Sequence, residues 1–156
     1  MNDAIARLAE AVAASDFGQW ASGSSIAYPL ASVVHLLGLV MLVGGIGIVD
    51  LRVAGAFRSL PLEPLTRALT PIAIGGLLLM VPSGATMVAA DAAVAQSTVF
   101  RWKLGLIGVA LANAAIFRLL WRGQMGDPPI IARLMAAGSI LLWLTIGALG
   151  RMIAYS

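Results

Sequence analysis

The chain has 156 residues, of which 60% are hydrophobic and only 11% are charged. Soluble domains carry about 45–50% apolar and about 25% charged residues, so this composition indicates a protein whose solvent is lipid. It contains no cysteine, which excludes disulfides, thiolate metal sites and covalently attached c-type haem. Its net charge of +3 comes from arginines beside apolar runs, which favours a membrane over nucleic acid as the partner.

The N-terminal residues 2–17 have the spacing of a short amphipathic helix. Ile5, Leu8 and Val12 fall on one face of such a helix. Three acidic residues interrupt the segment, which therefore lacks the basic start and long apolar centre of a signal peptide. We predict a short helix that lies in the membrane interface.

Four apolar runs of about 20 residues follow, each long enough to cross a bilayer core of about 30 Å. They cover about residues 26–49, 69–90, 102–121 and 134–153. Four spans with short connections predict one all-α domain, a four-helix transmembrane bundle with up-down connectivity. Thr70-Pro71 and Asp127-Pro128 have the residue types of an N-cap and a first helical position, so they mark the predicted starts of spans two and four.

The first span contains the chain's single histidine, His35. At a rise of 1.5 Å per residue, it lies roughly 13 Å from the start of the span, near the bilayer midplane. Ala31, Gly38 and Gly45 line the same helical face, and small residues allow close helix approach in lipid. Because polar side chains within spans face the protein interior, we predict that His35 points into the bundle.

The second span places Met80, Ser83, Gly84 and Met87 on one face. Thioether and imidazole groups suit Cu(I), so this face is a candidate metal path from His35. Methionine is also an ordinary filler of apolar cores, and that interpretation stays open beside the first.

Basic residues flank the ends of spans three and four. Arg101 and Lys103 begin the third span, beside Trp102, and Arg151 lies near the end of the fourth. Such residues anchor helices in the membrane interface. The same three cations are a candidate site for an anionic lipid, a haem propionate or a quinone headgroup above His35.

The distribution of charge predicts the orientation of the chain. The connections after spans one and three carry six cations against three acidic residues, whereas charges on the other side cancel. The six are Arg52, Arg58, Arg67, Arg118, Arg122 and Arg133. The positive-inside rule therefore places both termini outside the cytoplasm, in a bacterial inner membrane. Asp50 and Arg52 are predicted to close span one at the cytoplasmic surface, with separate partners or lipid headgroups.

Three roles for His35 remain open. The first is an interhelical hydrogen bond to Asn113 or to a hydroxyl such as that of Ser83, worth about 1 kcal/mol or less. The second is ligation of haem b, whose sixth ligand would be a methionine or a histidine from a second copy. The third is a copper site with Met80 or Met87.

Sequence motifs in spans one and three resemble those of a known group of proteins. The motifs are Tyr28-Pro29, His35-x-x-Gly38, Gly44-Gly45, Asp50-Leu51-Arg52, Phe100-x-x-Lys103 and Asn113. Over roughly residues 20–120 the chain resembles a bacterial family of small four-span inner-membrane proteins of unknown function. That family is distantly similar to the membrane part of copper-resistance D proteins and, more remotely, to small b-type cytochromes. The resemblance implies a copper or haem role for His35.

The sequence thus predicts a small membrane protein that binds haem b or copper. His35, Met80 and Met87 are the candidate metal ligands, and the candidate cofactor contacts are His35, Gly38, Arg101, Lys103 and Arg151. The alternative is a non-catalytic subunit or scaffold in which His35 only joins helices. Besides the lipid bilayer, the expected partners are a companion membrane or periplasmic redox protein, or a second copy. Two small-residue seams could serve either packing within the chain or a homodimer: Ala31, Gly38 and Gly45, and Gly105, Gly108 and Ala112.

Catalysis by a nucleophile and a histidine is not expected. Asp50, the acid in the same span as His35, lies roughly 22 Å away by the helical rise, too far to orient the imidazole. Paired intramembrane carboxylates and phosphate-binding loops are also absent from the sequence. A role other than an enzyme is therefore favoured.

Overall fold

The computed structural model describes residues 2–121 and 127–153, which form seven helices. They are α1 (Asn2–Ala13), α2 (Asp16–Gly23), α3 (Ala27–Ala54), α4 (Leu62–Ala90), α5 (Ala93–Gln96), α6 (Thr98–Trp121) and α7 (Ile130–Ile153). The helices α3, α4, α6 and α7 are long and apolar enough to cross a membrane. The predicted all-α fold with four transmembrane helices is confirmed.

The first transmembrane helix continues beyond the predicted end of span one. Gly55 ends α3 with a φ of 116°, a left-handed conformation that glycine adopts without strain. Its N–H bonds the carbonyl of Leu51 at 3.2 Å, and the N–H of Ala56 bonds the same carbonyl at 2.9 Å. This arrangement is a common helix C-terminus.

The predicted start of span two at Thr70-Pro71 is wrong. The helix α4 begins at Leu62, and Pro71 lies inside it. Proline removes one backbone hydrogen bond, but packing overrides that loss here. Leu65 and Leu69 of α4 pack against the buried residues Val49 and Val53 of α3, so the first turns of α4 form part of the core.

The predicted cap of span four is also wrong, by two residues. Asp127 and Pro128 precede the helix, which begins at Ile130. Pro129 supplies the first carbonyl instead, since it accepts a bond of 3.1 Å from the N–H of Arg133. The connection between α4 and α6 contains the short helix α5.

The N-terminal segment forms two helices where one was predicted. Ser15 caps α2, because its side chain accepts a hydrogen bond from the N–H of Gly18. Both α1 and α2 pack against α4. We call the end of the bundle that carries α1, α2 and α5 the terminal end, and the other the loop end.

The helix α3 is central to the bundle. It packs on α4 and on α7, and α6 packs on α7. One core cluster joins all four transmembrane helices around Leu42, Met80, Ala110 and Ile146. A second cluster, at the loop end, joins Val49 and Val53 to α4, α6 and α7. The up-down arrangement brings His35 and Asp50, at different heights on α3, against different neighbouring helices.

Candidate functional site

His35 is half-buried and faces α4, as predicted for a polar group in a span. Its Nδ1 lies 3.1 Å from the hydroxyl oxygen of Ser83. The interhelical bond to Ser83 was one of two predicted for His35, and the structure contains it.

The hydrogen bonds of Ser83 determine which ring nitrogen of a neutral His35 carries the proton. The hydroxyl oxygen of Ser83 lies 2.6 Å from the carbonyl of Leu79 and 3.3 Å from that of Met80. A carbonyl only accepts, and a hydroxyl has one proton, so the Ser83 hydroxyl donates to a carbonyl. It then accepts from Nδ1–H of His35. The neutral ring therefore carries its lone pair on Nε2, the arrangement of a histidine ready to bind a metal.

The Nε2 atom makes no hydrogen bond to a side chain within the described part of the chain. On α4, Met80 is buried and Met87 is half-buried. A Cβ added to Gly84 would lie 3.2 Å from Cε1 of His35, so the absence of a side chain at Gly84 leaves room for the imidazole ring. The predicted face of Met80, Ser83 and Gly84 is the one that α4 turns toward α3.

The small-residue seam around His35 is a close contact between α3 and α4. A Cβ on Gly38 would lie 2.7 Å from the carbonyl oxygen of Gly76, and one on Gly45 would lie 3.0 Å from that of Leu69. The predicted close helix approach along this seam is confirmed. The space beside Gly38 is therefore filled by α4 itself, including Met80.

The three cations predicted as one cluster have different surroundings. Lys103 is half-buried, and its ammonium would lie 3.1 Å from a Cβ on Gly150 of α7. Arg101 instead bonds the hydroxyl of Thr98 on its own helix at 3.1 Å. Arg151 is exposed. Lys103 is thus the member of the three that packs against α7.

Asn113 was a predicted hydrogen-bond partner of His35, but it bonds a different residue. Its amide donates to the carbonyl of Met135 at 3.3 Å and so joins α6 to α7. Within residues 2–121 and 127–153, no three His, Cys, Asp or Glu side chains come together as a metal site. Methionine is not among these four residue types, so this absence does not concern a site with thioether ligands such as Met80.

Asp50 was predicted at the cytoplasmic end of span one, with a partner of its own or lipid headgroups, and the structure buries it inside the bundle. Its side chain is buried, and Ser139 of α7 faces the carboxyl as a hydrogen-bond donor. Arg52 does point outward, where its Nε donates to the carbonyl of Leu60 at 2.6 Å. Because α3 extends to Ala54, Asp50 falls within the packed helix. The sequence did contain a signal for this contact, which was missed: Ser139 and Asp50 are each a single polar residue within or at the end of an apolar run.

Comparisons of the chain with protein-family models, with curated proteins and with solved structures gave no match.

Proposed function

We propose that this chain is a small integral membrane protein that binds a redox cofactor or metal, haem b or copper, through Nε2 of His35. The orientation of the imidazole carries the proposal. Ser83 holds Nδ1–H and leaves the Nε2 lone pair without a side-chain partner among the described residues. Histidines that bind metals commonly donate their other N–H to a fixed acceptor in this way.

Copper suits the surroundings of His35 better than haem does. Met80 is buried beside Gly38, and Met87 follows one helical turn after Ser83. Thioether and imidazole ligands favour Cu(I), which passes between such ligands without a cysteine. A haem would have to avoid the closely packed contact at Gly38. Its propionates would find cations in Lys103, Arg101 and Arg151.

A second candidate function is a non-catalytic membrane subunit or scaffold. The bond between His35 and Ser83 favours it, because this bond and the contact of Gly38 with Gly76 hold α3 on α4 without any ligand. Such a protein would act by presenting its outer surface to a companion subunit. Gly105 and Gly108 are exposed, and a Cβ added to either would meet nothing within 4 Å among the described residues, so this face of α6 is open to a second copy.

The proposed location is a bacterial inner membrane with both termini outside the cytoplasm. An even number of candidate transmembrane helices supports termini on the same side of the membrane. The excess of arginine at the loop end supports a cytoplasmic loop end. Arg122, one of the six cations in that count, lies outside the described residues.

The proposal predicts that purified protein takes up copper or contains haem. The measurement is metal analysis of protein in mild detergent, together with absorption spectra of the oxidised and reduced forms. Either about one copper per chain after incubation with Cu(I), or a Soret band that shifts on reduction, is expected. A folded, colourless protein that takes up no copper would contradict the proposal and leave the scaffold function.

A further inference from the structure

A second buried polar group lies in the loop-end half of the bundle, on the same helix as His35. Asp50 keeps only 7% of its surface exposed. It lies about one helical turn before the end of α3 at Ala54, and roughly 22 Å along the helix from His35. The proposed cofactor site gives this carboxyl no role.

The carboxyl of Asp50 is only partly bonded. The hydroxyl of Ser139 on α7, itself 3% exposed, faces it as a donor. The other oxygen, Oδ2, is buried and has no hydrogen-bond partner within the described part of the chain. A carboxylate oxygen in apolar surroundings is strongly unfavourable unless it is paired, metal-bound or protonated.

Charged side chains at this end of the bundle do not pair with Asp50. On α3, α4, α6 and α7 they are Arg52, Glu63, Arg67, Arg118 and Arg133. Arg52 bonds the carbonyl of Leu60, Arg133 bonds that of Pro128, and Glu63 pairs with Arg67. Arg118 is exposed. Among the described residues, no ion pair or hydrogen bond joins any of them to Asp50.

We infer that Asp50 is a reversible proton-binding site, in which a proton taken from the loop end occupies Oδ2 while Ser139 bonds the other oxygen. Three observations support this. The carboxyl is buried within a membrane helix, its second oxygen is unpartnered, and only about one turn of α3 separates it from the loop end. The site does not depend on a cofactor at His35, so each proposal stands or fails separately.

Infrared spectroscopy of the full chain in liposomes tests this inference directly. The carbonyl stretching band of a protonated carboxyl lies apart from carboxylate bands, so the difference spectrum between the wild type and Asp50→Asn isolates this one group. We expect a band that appears and disappears reversibly with pH in the wild type and is missing from Asp50→Asn. Asp91→Asn, which changes an exposed side chain at the terminal end, should keep the band.

Two results would overturn the inference. One is identical wild-type and Asp50→Asn spectra in the carbonyl region at every pH at which the protein stays folded. The other is a band that is removed by sodium but not by choline at constant pH, which would make Asp50 a metal-cation site. Asn has nearly the shape of Asp, and circular dichroism checks that the variant is folded.

Discussion

Gly38→Ala is expected to destabilise the bundle by about 1–3 kcal/mol, the usual range for overpacking a close-packed interior. The new methyl group would lie 2.7 Å from the carbonyl oxygen of Gly76, an atom fixed in the backbone of α4. The two helices must move apart, which also stretches the bond between His35 and Ser83. Gly76→Ala should act alike, since its Cβ would lie 2.5 Å from the carbonyl oxygen of Gly38.

Gly44→Ala is the matched control on the same helix, because a Cβ there meets nothing within 4 Å. Alanine favours helix over glycine by up to about 1 kcal/mol, so this variant should be neutral or slightly stabilised. Unfolding of detergent-solubilised protein by increasing SDS, followed by circular dichroism, measures the difference. Equal stability of Gly38→Ala and Gly44→Ala would show that α3 and α4 do not cross at Gly38.

His35→Ala is expected to lower the affinity for Cu(I) by more than about 100-fold, or to abolish the Soret band if the cofactor is haem. Loss of a group that only supports a ligand already weakens metal binding about 10–100-fold, and loss of the ligand must do more. The fold should survive, since the lost interhelical hydrogen bond is worth about 1 kcal/mol or less. A competition titration against a Cu(I) chelator measures the change in affinity.

Two methionine variants test whether Cu(I) binding depends on Met80 in particular or on the number of methionines in the chain. Met80→Leu should weaken Cu(I) binding, because Met80 is buried next to the seam at Gly38. Met152→Leu should not, because Met152 is largely exposed near the end of α7. Full cofactor occupancy in His35→Ala would refute the role of His35 as the ligand.

The sequence was sufficient to predict the spans and the close contact around His35. Apolar runs of bilayer length are a strong signal, and small residues at Gly38 and Gly45 identify the face on which a neighbouring helix packs. The pairing of His35 with Ser83 could be named only as one of two options. Helix periodicity gives the face of a residue, but not the rotation of the neighbouring helix.

The position of Asp50 could not be predicted, because it depends on where α3 ends and on which helix lies beside it. Charges near the end of an apolar run usually mark the membrane surface, and this rule gave no reason to expect that Asp50 is buried inside the bundle. The contacts of Leu65 and Leu69 with Val49 and Val53 extend the core past the apolar run. Tertiary packing of this kind also explains why α4 continues through Pro71, although proline disfavours the interior of a helix.

The central claim is that Ser83 fixes His35 with its proton on Nδ1 and its lone pair on Nε2. Nitrogen NMR of protein labelled in histidine tests it directly, because the chain has a single histidine and every signal belongs to it. We predict the Nδ1–H form in wild-type protein, loss of this preference in Ser83→Ala, and movement of the Nε2 signal when Cu(I) is added. A neutral ring protonated on Nε2, with no response to Cu(I), would contradict the account.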